Sequence, residues 1–229
     1  MASVQLNEKL DSQFTELIIK LFKRQTSTCV IILGRRESGK TDLSLLIAEI
    51  LAFHNIIRYF ATNIRVYASP FELIRITNLE DLELWCRDNK GKKLFIFDEA
   101  GKSLRRRTPM SRLNIKLLDN LQILRKYKLN IIFIAPHEKY MDNAALGSDV
   151  IDAVFHKYRN KKVALYRDEM ENFTLSISNI PRTSIDFDTW DVAPFMAHGV
   201  KAKPKFKDQE LEVVWDWSHG KTAKELGLH

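Results

Sequence analysis

The feature that most constrains this chain is a short apolar run that leads directly into a loop of glycines and lysine. Cys29–Leu33 is a continuous apolar run, which is typical of a strand buried on both faces. Residues 34–41 follow with the spacing G-x-x-x-x-G-K-T, and a helical pattern continues from about Thr41 to His54. Because such a strand needs helices on both sides of its sheet, an α/β fold is predicted.

The same alternation recurs along the chain. Strands are predicted at 58–64, 94–97 and 131–135, and helices at about 41–54, 79–88 and 111–127. Shorter strands at 153–156, 163–167 and 173–177 are expected to extend the edge of the sheet. Apolar strands alternating with helices require crossover connections and hence a mainly parallel sheet. The prediction is a three-layer αβα domain.

The loop after the first strand has the residue types that a phosphate site needs. Backbone N–H groups and the N-terminus of the next helix form a cup for phosphate, and Gly34 and Gly39 let the backbone turn tightly. Lys40 is expected to neutralise the β- and γ-phosphates, and the Thr41 hydroxyl to bind Mg²⁺. ATP and Mg²⁺ are therefore predicted to bind at Gly34, Arg35, Arg36, Glu37, Ser38, Gly39, Lys40 and Thr41.

A pair of acids completes this prediction. The apolar run Leu94–Phe97 ends in Asp98 and Glu99, and ligands of parallel sheets lie outside the carboxyl ends of the strands. Asp98 is expected to hold Mg²⁺, and Glu99 to act as the general base that polarises the attacking water. The chemistry predicted is ATP hydrolysis.

Composition sets wider limits. The net charge is +7 and the pI is near 9.3, which suits either a polyanionic partner or simple solubility. No apolar run approaches the roughly 20 residues of a membrane-spanning helix, and Cys29 and Cys86 have no metal-binding spacing. We expect a cytoplasmic protein (host cytoplasm if it is viral) with no integral membrane segment.

The two ends of the chain differ from its middle. Residues 14–24 predict an amphipathic helix that either covers the sheet or lies on a membrane. We expect residues 1–28 to form this N-terminal segment, 29–196 the core, 197–207 a basic linker and 208–229 a small helical appendage.

The adjacent acids at 98 and 99 resemble those of the P-loop ATPases that carry a catalytic glutamate beside the Walker B aspartate. That group has a RecA-like (ASCE) fold, in which an extra strand lies between the P-loop strand and the Walker B strand. The resemblance implies that 131–135 is this strand and that His137 near its tip is the polar sensor, which contacts the γ-phosphate or the water. Relatives usually have Thr-Gln or Ser-Gln where this chain has Pro136-His137.

Residues 29–158 further resemble the FtsK/HerA superfamily, in particular its viral genome-packaging and zonula-occludens-toxin-like branches. The features that carry this are 34–41, 62–64, 98–100, 124–126 and 142–150. The resemblance implies a homo-oligomeric ring, often a hexamer, that moves double-stranded DNA through its pore.

A ring of this kind needs an arginine from a neighbouring subunit. Arg125 is the first candidate, and one of Arg105, Arg106 and Arg107 the second. The same three arginines are alternatively expected to contact DNA phosphates, or to form a solvated loop.

Residues 211–228 resemble the first two helices of a resolvase-type or sigma-factor-type helix-turn-helix, for which the recognition helix would come next. An ATP-switched DNA-binding protein, a P-loop small-molecule kinase and a membrane-associated secretion ATPase remain the alternatives to the DNA motor.

Overall fold

The computed structural model describes residues 13–98, 126–137, 151–158, 162–190, 193 and 195. The described residues form three helices and ten strands. The helices are α1 (Gln13–Arg24), α2 (Lys40–Phe53) and α3 (Leu79–Asp88). The strands are β1 (Cys29–Gly34), β2 (Tyr59–Thr62), β3 (Val66–Ala68), β4 (Leu73–Arg75), β5 (Lys93–Phe97), β6 (Leu129–Ala135), β7 (Ala153–Lys157), β8 (Ala164–Asp168), β9 (Phe173–Ile177) and β10 (Asp186–Phe187).

Eight of these strands form one sheet in the order β4-β2-β5-β6-β1-β7-β8-β9. From β4 to β7 all neighbours run parallel, whereas β8 and β9 add antiparallel strands at one edge. The late strands therefore extend the sheet, as the sequence predicts. A separate antiparallel pair joins β3 to β10.

The central strands are buried on both faces. Every residue of β5 and β6 is buried, and alternate residues of β1 enter two different apolar clusters. Val30 and Ile32 pack in the cluster that contains α1 and α2, and Ile31 and Leu33 pack in the cluster that contains α3. Helices thus cover both faces, which confirms the predicted three-layer α/β fold.

The amphipathic helix α1 packs on this domain through its apolar face. Phe14, Ile18, Leu21 and Phe22 are all buried, at 5% exposure or less, and they share a cluster with α2. Of the two roles that the sequence allows for this helix, the structure shows the covering of the sheet. Across the described ranges, no helix has the length and apolarity needed to cross a membrane.

Small differences from the sequence predictions occur at element ends and edges. The second strand stops at Thr62 instead of 64, and β3, β4 and β10 are not predicted at all. These strands are two or three residues long, too short to show an alternating pattern. The helix expected at 111–127 lies almost wholly outside the described residues. The segments at 197–207 and 208–229 lie wholly outside them. The domain boundaries therefore stay predictions.

Candidate nucleotide-binding site

The loop after β1 turns where the sequence places its glycines. Gly34 has a φ of 154° and Gly39, the N-cap of α2, has a φ of 80°. At Gly34 the space is also closed, since a Cβ would come within 2.6 Å of the Lys157 carbonyl oxygen. Glu37 takes a φ of 61° as well, which costs a residue with a side chain more than it costs glycine. The loop connects the carboxyl end of β1 to the N-terminus of α2.

Within this loop the side chains divide by exposure. Arg35, Arg36 and Glu37 are exposed, whereas Ser38 is 1% exposed. The Lys40 ammonium donates a 2.8 Å hydrogen bond to the Arg35 carbonyl oxygen. The Lys40 ammonium, which is predicted to neutralise phosphate, therefore contacts the backbone at the start of its own loop.

The carboxylate of Asp98 lies beside the start of α2. The Thr41 hydroxyl donates a 2.7 Å hydrogen bond to the Asp98 Oδ2, so the two groups predicted to hold Mg²⁺ are in contact. Both are oxygen ligands of the kind that Mg²⁺ prefers, and Mg²⁺ in nucleotide sites is held by few protein groups. The donor set fits that ion.

A buried asparagine, to which sequence reasoning gave no chemical role, holds Asp98 in place. Asn63 follows β2, is 0% exposed, and accepts a 2.8 Å hydrogen bond from the Asp98 N–H. Its amide donates to the carbonyl oxygens of Asp98 at 3.1 Å and of Ala193 at 2.7 Å. Asn63 thereby joins the ends of two neighbouring strands and a distant segment of the chain. A polar residue directly after an apolar strand was the available signal.

The segment that contains Ala193 also packs over the end of β5. The Phe195 ring lies 5.7 Å from the Phe95 ring and 4.7 Å from the Phe97 ring, measured between centroids. Aromatic contacts of this kind stabilise the strand that delivers Asp98.

His137 comes two residues after β6 and is exposed. Since β6 lies between β1 and β5 in the sheet, its carboxyl end opens at the same edge as the phosphate loop and Asp98. The other predicted residues, Glu99, Arg105, Arg106, Arg107 and Arg125, lie outside the described residues.

Two charged groups that the sequence did not single out also lie near the loop. Lys157 ends β7, where it pairs in register with Gly34, and it is 5% exposed. Burial lowers the pKa of Lys157 to about 8, while the charge of Asp42 acts in the opposite direction. Lys157 therefore lies on the β7 side of the loop, and Asp42 lies in the first turn of the helix that follows the loop.

A phosphate loop between β1 and α2, a carboxylate at the end of β5, and a strand inserted between β1 and β5 together define a class. These three features are typical of the P-loop nucleoside triphosphatases. The strand between β1 and β5 is the extra strand that the sequence resemblance implies. The described residues have that fold.

Comparison with solved structures agrees with this class. The genome-packaging NTPase B204 of Sulfolobus turreted icosahedral virus 2, in complex with ATPγS, matches at a TM-score of 0.52 and 13% identity, over 69% of this chain and 100% of that chain. A structure described only as an ATPase matches at a TM-score of 0.51 and 9% identity, over 77% of this chain and 97% of that chain. At such identities the likeness shows a shared fold.

The N-terminal domain of zonular occludens toxin from Neisseria meningitidis is a weaker neighbour. It has 19% identity and a TM-score of 0.48, over 67% of this chain and 94% of that chain, which does not by itself establish a common fold. No protein-family model matches the chain, and no curated protein matches it either.

Proposed function

We propose that this chain binds and hydrolyses ATP at residues 34–41 and uses the energy to move double-stranded DNA, acting as a ring of like subunits. The observation that carries the nucleotide chemistry is the 2.7 Å contact between the Thr41 hydroxyl and the Asp98 carboxylate. This contact joins the phosphate loop to the end of β5, which Asp98 follows. The likeness of the fold to B204, which is described in one structure as the DNA-packaging ATPase of Sulfolobus turreted icosahedral virus, supports DNA as the cargo.

Each residue of the loop has a part in binding. The N–H groups of residues 34–39 and the N-terminus of α2 receive the phosphates, and Lys40 swings from the Arg35 carbonyl oxygen to the β- and γ-phosphates. Thr41 and Asp98 would hold Mg²⁺, whose charge offsets that of the triphosphate.

Hydrolysis needs a base and a group that responds to the γ-phosphate. Glu99 directly follows Asp98 in the sequence, and the Asn63 amide fixes the Asp98 backbone. Glu99 takes the proton of the attacking water. His137, exposed beyond β6, is the sensor in this proposal.

The strand order bears on the competing kinase function. Among the ATPases that this sequence resembles, those with a catalytic glutamate have a strand inserted between the P-loop strand and the acidic strand. β6 lies between β1 and β5, and this supports transfer of the phosphoryl group to water over transfer to a small molecule.

The first experiment measures ATP hydrolysis by the purified chain with and without duplex DNA. We expect DNA to increase the rate, and Glu99→Gln to lower it by about 10²-fold or more, as loss of a general base does. Glu72→Gln is the matched control, since Glu72 is an exposed glutamate outside the site. Unchanged turnover in Glu99→Gln would refute the assigned base, and DNA-independent turnover by a strict monomer would refute the motor.

The second experiment tests the ring and its arginine. Arg125→Ala and Lys40→Ala should each be inactive alone, yet a mixture should regain activity, because an intact loop from one subunit meets an intact arginine from the next. Full activity of Arg125→Ala alone moves the role to Arg105–Arg107, whereas an inactive Arg125→Ala that the mixture does not rescue contradicts the supply of this arginine by a neighbouring subunit. Mass measurement with ATPγS and duplex DNA should show a nucleotide-dependent oligomer.

The third experiment separates a motor from an ATP-switched DNA-binding protein. A motor displaces a protein roadblock bound to duplex DNA while it hydrolyses ATP. A switch assembles on the DNA and leaves the roadblock in place.

A further inference from the structure

We infer that Lys157 is a positioning residue for the triphosphate: its ammonium, together with Arg182, offsets the Asp42 carboxylate so that this acid does not repel the bound phosphates. The inference rests on the proposed binding of a nucleotide at residues 34–41. It concerns the balance of charge between Lys157 on β7 and Asp42 at the start of α2.

Lys157 lies directly against the phosphate loop. Its backbone pairs in register with Gly34, and a Cβ on Gly34 would meet the Lys157 Cβ at 3.1 Å and the Ser38 Oγ at 2.7 Å. The Lys157 side chain therefore leaves the strand beside the first glycine of the loop. Because Lys157 is 5% exposed, its charge is poorly screened by solvent and acts strongly on nearby groups.

Asp42 is the acid that this charge acts upon. It directly follows Thr41 in the first turn of α2, where a carboxylate stabilises the positive end of a helix. A triphosphate uses the same end, so Asp42 and the ligand are like charges in competition for it. The electrostatic attraction between Asp42 and Lys157 favours the charged lysine. The lysine charge in turn reduces the repulsion between the Asp42 carboxylate and the phosphates.

A second cation, Arg182, also reaches Asp42. The Arg182 Nε lies 3.8 Å from the Asp42 Oδ1, but the Arg182 side chain is 83% exposed. Exposed ion pairs contribute little because solvent screens them. Arg182 is therefore expected to offset Asp42 only weakly, which leaves the buried Lys157 as the group to test.

The chain segment that carries Arg182 is fastened to α2. Glu49, 3% exposed, accepts hydrogen bonds from the Thr183 hydroxyl at 2.8 Å, the Ser184 N–H at 2.9 Å and the Ser184 hydroxyl at 2.6 Å. Glu49 and Asp42 are separated by about two helical turns and share one face of α2. This fastening holds the segment that carries Arg182 on the face of α2 that also carries Asp42.

A charge balance makes a prediction that a packing role does not. If Lys157 merely filled space, its loss would affect every nucleotide equally and would not depend on Asp42. If it offsets Asp42, the loss grows with the number of phosphates on the ligand, and removal of the Asp42 charge relieves it.

The test compares dissociation constants for AMP, ADP and ATPγS at pH 7 in four proteins: wild type, Lys157→Met, Asp42→Asn and the double variant. We expect Lys157→Met to weaken ATPγS binding about tenfold, the effect of one pairwise charge interaction of moderate strength, ADP less and AMP least. The double variant should recover most of the affinity. Equal losses for all three ligands, or a loss that Asp42→Asn does not relieve, overturn the inference.

Lys93→Met is the matched control. Lys93 is 1% exposed and begins β5, at the end of the sheet away from the loop, where its ammonium donates to the Gly91 and Tyr127 carbonyl oxygens. Its loss should lower stability and leave nucleotide affinity unchanged.

Asp42→Asn alone tests whether the Asp42 charge opposes phosphate binding. It leaves Lys157 unchanged, so this test remains usable if Lys157→Met does not fold. Asp42→Asn leaves the lysine charge uncompensated beside the phosphates, so ATPγS should bind several-fold more tightly, with a smaller gain for AMP. Weaker ATPγS binding in this variant overturns the inference. A wild-type protein that binds no ATPγS overturns the proposed function and this inference with it, whereas normal wild-type binding that Lys157→Met leaves intact overturns the inference alone.

Discussion

Thr41 and Asp98 are separated by 57 positions, yet the Thr41 hydroxyl donates a 2.7 Å hydrogen bond to the Asp98 carboxylate. The contact joins the first turn of α2 to the end of β5. It brings together two oxygen ligands that the sequence assigned to one metal ion, and it does so at the carboxyl edge of the sheet, where ligands of parallel sheets bind.

The first prediction concerns this pair. Asp98→Asn keeps an oxygen that accepts from Thr41 but removes the negative charge that would hold Mg²⁺. We expect ATP hydrolysis to fall at least about 10²-fold, the loss typical when a preorganised charge-stabilising group is removed, while ATPγS binding without Mg²⁺ persists. Steady-state kinetics over a range of Mg²⁺ concentrations measure this. Asp88→Asn, at the exposed end of α3, is the control, and full activity of Asp98→Asn would contradict the metal assignment.

The second prediction compares two buried asparagines. Asn63→Leu leaves the Asp98 N–H and the Ala193 carbonyl oxygen without their partner, which should lower the free energy of unfolding by about 2–4 kcal/mol. Asn130→Leu removes comparable bonds, to the Thr28 N–H at 2.8 Å and the Lys93 carbonyl oxygen at 2.9 Å, at the opposite end of the sheet.

Both variants should lose stability in urea denaturation, but only Asn63→Leu should lose turnover, because only Asn63 restrains the backbone that carries Asp98. ATP hydrolysis is measured at a temperature at which both variants are folded by circular dichroism. Equal turnover in the two variants would show that Asn63 contributes stability alone.

The third prediction compares two glycines of positive φ. Gly34→Ala puts a Cβ 2.6 Å from the Lys157 carbonyl oxygen, so backbone must shift, whereas Gly91→Ala puts one 3.7 Å from the Tyr59 ring. Both changes carry conformational strain of about 1–3 kcal/mol. We expect Gly34→Ala to lose ATPγS binding in calorimetry and Gly91→Ala to keep it. Binding by Gly34→Ala at wild-type affinity would mean that the loop does not need this close approach.

The fourth prediction concerns the ion pair between Arg24, at the end of α1, and Asp168, at the end of β8, which we call the anchor of α1. Arg24 pairs with Asp168 at 3.0 Å, and the Asp168 side chain is 3% exposed. Burial alone would raise the pKa of Asp168, but hydrogen bonds from the Glu171 N–H, the Tyr166 hydroxyl and Arg24 outweigh it and hold that pKa below its usual value. Asp168→Ala should cost about 3 kcal/mol, because it removes the buried partner of Arg24 and the acceptor of the Tyr166 hydroxyl, while the exposed Glu171 keeps its 3.1 Å pair with Arg24.

The sign of the pH effect follows from the lowered pKa. The stabilisation by Asp168 is complete above the unfolded-state pKa of about 3.9, and it is lost as the pH falls through the lower folded-state pKa. The free energy of unfolding should therefore fall more steeply below about pH 4 in the wild type than in Asp168→Ala. Lys20→Ala breaks an exposed pair with Glu171 and should change stability by less than about 0.5 kcal/mol. A wild-type slope no steeper than that of Asp168→Ala would contradict the anchor.

Much of the fold is predictable because burial leaves a trace in local patterns. The continuous apolar runs at β1, β5 and β6 identify strands covered on both faces, and α3 is predicted at 79–88 with the bounds that the structure has. The strands β3, β4 and β10 leave no such trace, since they are short and many of their residues are half-buried or exposed.

The site divides in the same way. Gly34, Gly39, Lys40 and Thr41 are recognisable because the phosphate cup is built from consecutive backbone groups and needs particular residue types in order. Asn63, Glu49 and Lys157 are not recognisable, because their partners lie between about 35 and 135 positions away along the chain or across a strand pair that no local pattern specifies.

The sequence by itself determined the phosphate loop, the acid that faces it and the layered α/β architecture, because these depend on local backbone geometry and on the period of apolar residues. The tertiary structure alone decided that Asn63 holds the Asp98 backbone and that Lys157 lies against Gly34. Periodicity records which residues are buried, but not which buried residues become neighbours; that is set by strand order and register, which form only when the whole sheet assembles.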